Sequence, residues 1–225
     1  MDQTVTTCQT EDRRGICKWL MWLLIVQIIS MSHVLLRRVV SFGNLEVWLQ
    51  LIPHACVLWC LVKLRHKHKL YMVATVPLSI SIICFLLWRL VFRSAGLFQH
   101  FVEIYQIQEP TSILRGVSKV SDFGEFCGIV AFALELLAHS SLTKNADKRI
   151  SKWWFVLSVA VLVLYILMQV LTLVVSNMLT QGTLNIELYQ QIYPLLNLPG
   201  NLSEIAYVVL LLLTGRALGK VSETI

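Results

Sequence analysis

Charge is scarce in this chain: Asp, Glu, Lys and Arg together make up 14% of the residues. An average soluble domain carries about 25% charged and roughly 45–50% apolar residues. Here the apolar share is 56% and the mean hydropathy is +0.69. That balance excludes a soluble globular domain and a disordered chain, neither of which tolerates so much apolar surface. The six cysteines include no C-x-x-C pair or other close metal spacing, which excludes a disulfide-stapled module. Cys56, Cys60, Cys84 and Cys127 lie inside apolar runs and read as small buried hydrophobes; Cys17 flanks the first run, where palmitoylation is a weak alternative. Walker, GxSxG, HExxH and DxD patterns are missing, so the enzyme classes built on them drop out. No motif calls for a cofactor.

What is present is a series of long apolar runs: Trp19–Leu36, Leu45–Val62, Leu70–Phe92, Phe123–Leu142, Trp153–Ser176 and Leu196–Leu213. Each approaches the roughly 20 residues that a helix needs to cross about 30 Å of hydrocarbon. Alternating ten-residue strands are absent, and an open sheet leaves its backbone unsatisfied in lipid. The expected fold is therefore an all-α polytopic bundle of six transmembrane helices. Residues 1–18 form a cytosolic segment, 19–215 the membrane domain and 216–225 a cytosolic tail. Seven tryptophans (Trp19, Trp22, Trp48, Trp59, Trp88, Trp153, Trp154) fall near run ends, as an aromatic belt requires.

Basic residues set the orientation. Arg13, Arg14, Lys18, the cluster from Lys63 to Lys69, the cluster from Lys144 to Lys152, and Arg216 with Lys220 share one side when the N-terminus is cytosolic. The positive-inside rule favours that arrangement, with both termini cytosolic. Arg37 and Arg38 oppose it and must sit at the outer headgroups. The first run lacks an A-x-A-like cleavage site after Met31 and reads as a retained signal anchor. The connections at 93–120 and 177–195 are longer than the others, and Phe98–Ile107 reads as an outer amphipathic helix. Net charge is +6, but the basic residues border apolar runs, so the implied partner is the bilayer rather than nucleic acid.

Polar groups at membrane depth are functional candidates because they are costly. Gly124, Gly128, Ala131, Glu135 and Ala138 share one face of the fourth helix. The small residues suit close packing, and the face is expected to seat a second copy or a membrane-protein partner. Glu135 points into that face with His139 one turn on. The pair reads either as a proton-accepting or ligand-binding site or as a protonated acid bonded to a neighbouring helix. A second group comprises Arg89, Gln169 and Glu204, placed at compatible outer depths, with an Arg89–Glu204 pair expected. His54 follows Pro53 in the second helix, and Pro77 interrupts the third, where kinks free backbone carbonyls. Arg65, Lys67 and Lys69 alternate with His66 and His68; the cations suit anionic lipid, while two histidines two residues apart face apart on a helix and do not make a zinc site. Asn201-Leu202-Ser203 is a sequon close against the sixth helix.

Phe98-Gln99, Val120-x-Asp122-x-Gly124 and Ser203-Glu204 resemble motifs of the DRAM/FRAG-type six-span membrane family. The resemblance implies a non-enzymatic organelle or plasma-membrane protein tied to autophagy or lipid organisation. The family has a longer first outer loop than the eight or so residues here. Tyr71–Phe92 with its preceding basic loop, and Glu204-x-x-Tyr207, resemble parts of the fungal multi-pass meroterpenoid cyclases. Those enzymes have one more span and a carboxylate where this chain has Cys84 and Phe85.

Three functional expectations follow. The first is a non-enzymatic membrane protein that organises partners or lipids through the small-residue face and the basic loop. The second is an intramembrane enzyme on a lipidic or isoprenoid substrate, with Glu135 or Glu204 as general acid. The third is a proton-coupled carrier or channel with Glu135 and His139 as relay groups.

Overall fold

A computed structural model describes residues 2–36, 45–93, 110–180 and 198–223. Among them the chain forms six helices: α1 (Asp2–Leu36), α2 (Leu45–Leu64), α3 (Lys69–Arg93), α4 (Pro110–Thr143), α5 (Lys148–Thr180) and α6 (Leu198–Glu223). No strand occurs among the described residues. Among the described residues, four stretches are long and apolar enough to cross a membrane: Gly15–His33, Lys69–Arg89, Lys119–Thr143 and Lys148–Leu171. In α2 the apolar stretch is shorter, Trp48–Leu64. Arg37, Arg38, the Phe98–Ile107 stretch and residues 181–197 lie outside the described residues.

Each helix packs against its neighbours in sequence, and α6 closes back on α1, so the six form a ring. The two short turns lie at one end of it. At the first, Lys67 N–H bonds Leu64 O at 2.9 Å, and the His68 ring nitrogen accepts from Leu70 N–H at 3.2 Å, capping α3. At the second, Asp147 Oδ1 accepts from Arg149 N–H at 2.7 Å and Ile150 N–H at 3.3 Å, satisfying first-turn donors of α5. Helix α4 begins at Pro110, ahead of the apolar run that starts at Phe123. Pro suits a first helical turn, and the residues between do not break the helix.

The packing is inverted relative to a water-soluble bundle. Glu135, His139, Thr143, Ser158 and Thr214 are buried in the middle, while Trp153, Phe155, Val156, Ile166, Val170 and Val76 are exposed on the perimeter. So broad an apolar perimeter suits lipid, where exposed hydrocarbon carries no penalty. The core gathers Leu20, Leu23, Leu61, Leu64, Leu136 and Leu211 around those polar groups. Trp154 departs from the belt expectation. It is fully buried, and its Nε1–H donates to Thr214 Oγ1 at 2.9 Å, tying α5 to α6. An indole can leave the interface when its one donor finds a buried acceptor.

The small-residue face of α4 is filled from within the chain. A Cβ on Gly124 would come within 2.5 Å of Cys84 Cβ, and one on Gly128 within 3.0 Å of Ser81 Oγ. Both contacts are with α3. Ala131 is buried in the same core. A partner seated on this face would have to displace α3.

Candidate functional site

The middle of the ring holds an acid, an imidazole and two phenols from three helices. Glu135 and His139 sit one turn apart on α4. Tyr207 Oη of α6 donates to Glu135 Oε1 at 2.5 Å, and Tyr71 Oη of α3 lies 2.7 Å from His139 Nδ1. With Tyr71 as donor, the imidazole proton rests on Nε2, 3.4 Å from Glu135 Oε1. That separation is electrostatic contact; Nε2 makes no hydrogen bond. The result is a polar chain Tyr71–His139–Glu135–Tyr207 that crosses the ring. Aromatic faces enclose it: Trp154 lies 4.7 Å from the His139 ring and 5.6 Å from Tyr207, and Phe132 5.3 Å from Tyr207.

All four members of the chain are buried, Tyr71 and His139 completely. A charged side chain at the centre of a span costs about 2.5–3.5 kcal/mol. Burial of Glu135 is tolerated because a hydroxyl donor and an imidazole meet its carboxyl. Two further bonds hold neighbouring backbone in place. Thr143 Oγ1 donates to His139 O at 2.8 Å, and Ser158 Oγ of α5 donates to Ala133 O of α4 at 2.9 Å. Chemically the chain can pass a proton among its own members, but an outside molecule reaches it only if the ring opens.

A second group lies at the opposite end from the turns. A cavity of about 200 Å³ is lined by Leu51, His54, Ser81, Phe85, Ser121 and Glu125, among others. His54 stacks on Phe85 at 6.4 Å and 15°, and its Nδ1 bonds Gln50 O at 2.7 Å, one turn back in the helix that carries Pro53. Arg89 Nη2 donates to Gln50 Oε1 at 2.8 Å, with its guanidinium 5.4 Å from Phe85. The sequence paired Arg89 with Glu204 instead. Glu204 lies on α6, which packs on α1 and α5, whereas α3 packs on α2 and α4. Gln169 is exposed on α5 beside Tyr165.

The third group is the basic end. Arg65 and Lys69 are exposed and Lys67 half-buried at the α2–α3 turn, while the ammonium of Lys63 lies 4.6 Å from the Trp59 ring. His68 has a structural use in this turn as the cap of α3. Glu135 and His139 are thus brought together, His54 and Arg89 share a neighbourhood, and Glu204 joins neither.

Sequence reasoning had not linked Tyr71 and Tyr207 to Glu135. The signal is spacing: Tyr71, Ala74 and Leu78 on α3, and Tyr207, Leu210, Leu211, Thr214 and Leu218 on α6, form buried stripes at i, i+3/i+4. Comparison with protein-family models, curated proteins and solved structures gives no match, so the family resemblances rest on the short motifs quoted above alone.

Proposed function

We propose that the chain is a multi-pass, non-enzymatic membrane protein with six spans, retained by its first span as a signal anchor and with both termini cytosolic. Its role is to hold anionic lipid at the basic cytosolic turns while a rigid ring presents a fixed apolar perimeter to the bilayer. The observation that carries this reading is a division of labour. The reactive side chains are spent on one another in the sealed centre, and the basic side chains stand exposed at the end where both short turns lie. Anionic leaflets attract such clusters by about 1 kcal/mol for each Lys or Arg near the surface.

The test is retention of phosphatidylserine against phosphatidylcholine by the purified protein in mixed bilayers. Arg65→Gln with Lys67→Gln and Lys69→Gln is expected to weaken the preference, and added salt to weaken it further. Equal retention of both lipids by the wild type would contradict the reading.

One observation favours a second reading, a proton-coupled carrier. The buried His139 Nε2 has no hydrogen bond and faces a carboxyl oxygen at 3.4 Å, an arrangement suited to proton exchange. Proton-dependent flux in proteoliposomes that disappears with Glu135→Gln supports it; absence of flux in the wild type removes it.

A further inference from the structure

Where α4 ends and α5 begins, the turn borders an open, shallow recess of about 450 Å³ lined by Ser140, Ser141, Lys144, Ser151, Lys152 and Phe155, together with Val156. The floor is built by a reciprocal serine clasp. Ser140 Oγ donates to Ser151 O at 2.8 Å, Ser151 Oγ donates to Ser140 O at 2.8 Å, and the two hydroxyls lie 3.2 Å apart. The clasp draws the helices together at two small residues and fixes the spacing of what stands above it.

Ser141 lies in the last turn of α4 and Lys144 is the first residue of the turn that follows, while Lys152, Phe155 and Val156 lie at i, i+3 and i+4 on α5. The α5 set therefore shares one face of its helix, and Ser141 and Lys144 border the same recess from the end of α4. Both lysines are exposed, and neither has an acidic partner among the described residues. No carboxylate lines the recess. The nearby Asp147 is occupied as the cap of α5. Two unspent ammonium groups and a hydroxyl thus border one recess whose remaining wall, Phe155 and Val156, continues into the apolar outer face of α5.

We infer that this recess is a headgroup site for an anionic glycerophospholipid. The lipid phosphate sits between Lys144 and Lys152 within reach of the Ser141 hydroxyl, and an acyl chain runs along Phe155 and Val156. Lysine suits the phosphate as a point charge, and the apolar wall selects a lipid over a soluble phosphate. The inference rests on the proposed lipid-holding role but assigns it to a different turn from the 63–69 loop, with a defined pose.

The experiment is native mass spectrometry of the full-length protein released from phosphatidylcholine nanodiscs doped with phosphatidate. Lys144→Gln with Lys152→Gln is expected to weaken phosphatidate retention about 25-fold, the equivalent of about 1 kcal/mol for each lysine. Lys144→Arg with Lys152→Arg is expected to keep it, and inorganic phosphate is expected not to displace it. Retention unchanged in the Gln pair but lost in the Arg65/Lys67/Lys69→Gln variant would overturn this site and leave the broader role standing. Displacement by inorganic phosphate would also overturn it, identifying a soluble-anion site. No wild-type preference for phosphatidate over phosphatidylcholine would overturn both. Because both lysines are exposed, folding of the Gln pair is checked by its thermal transition, and the Arg pair separates charge from packing.

Discussion

At the scale of single residues, the centre of the ring is a problem of satisfying one carboxyl group. Glu135 sits at a depth where an unmatched acid is expensive, and Tyr207 and His139 answer it. Interhelical hydrogen bonds in membrane proteins average about 0.6 kcal/mol and reach about 1.7. Tyr207→Phe removes the hydroxyl and leaves the carboxyl buried, so its cost is expected near the top of that range. Thermal unfolding in mild detergent measures it. In a double-mutant cycle, Tyr207→Phe combined with Glu135→Leu is expected to cost about 1 kcal/mol less than the sum of the single changes, because each removes the other's reason for being polar. Strict additivity would mean that the short Tyr207–Glu135 contact carries no coupling.

The Glu135–His139 pair was legible in the sequence because a helix places i and i+4 on one face. Its phenol partners were not. Tyr71 stands at the start of the third apolar run and Tyr207 lies inside the sixth, where nothing in the spacing names a partner, and Trp154 reads as a belt residue. Only three-dimensional packing shows that these rings turn inward, to an acid in one case and to Thr214 in the other. Arg89 was legible as a costly cation, but its partner Gln50 lies 39 positions away on α2. Choosing it over Glu204 requires the order of the helices around the ring.

At the scale of elements, the α3–α4 pair depends on glycine at one place above all. A methyl group at Gly124 would meet the Cys84 Cβ at 2.5 Å, an atom fixed to the backbone of α3. At Gly128 the obstacle is the Ser81 hydroxyl at 3.0 Å, which can turn aside. Gly124→Ala is therefore expected to destabilise by about 1–3 kcal/mol, as overpacking does, and Gly128→Ala by less. Cys84→Gly is expected to recover part of the Gly124→Ala loss. Equal effects at the two glycines, read from the same unfolding transitions, would contradict the register of α3 on α4. The glycine spacing itself was plain in the sequence; that its counterpart is α3 of the same chain was not, because the G-x-x-x-G spacing serves intramolecular and intermolecular contacts alike. At the α4–α5 turn, Asp147→Ala removes an N-cap and is expected to cost about 1 kcal/mol, again read from the unfolding transition.

At the scale of the whole molecule, helix length and hydropathy support the membrane class, and the ring order explains how polar residues are tolerated within it. Among the described residues, four stretches are long and apolar enough to cross by themselves, while the apolar part of α2 is shorter. In the ring, α2 packs against α1 and α3, and α6 against α1 and α5. If α2 and α6 cross the membrane as proposed, such neighbours lower the hydropathy each needs, since part of its surface is covered by protein. With six spans, cysteines introduced at Lys67 and Asn145, one in each short turn, label from the same side of a sealed vesicle as one in the C-terminal tail. Labelling of the two turns from opposite sides would contradict the proposed topology.

The central claim is that the acid–base cluster holds the ring together while lipid is bound outside it, at the basic end. Native mass spectrometry of the wild-type chain, released from a bilayer that mixes anionic glycerophospholipids with neutral isoprenoids and sterols, tests it most directly. The expected result is retained anionic glycerophospholipid whose amount is unaffected by Glu135→Gln. A stoichiometric neutral isoprenoid or sterol, lost in Glu135→Gln while the protein remains folded, would contradict it, because the centre of the ring would then be a ligand pocket rather than a sealed interlock.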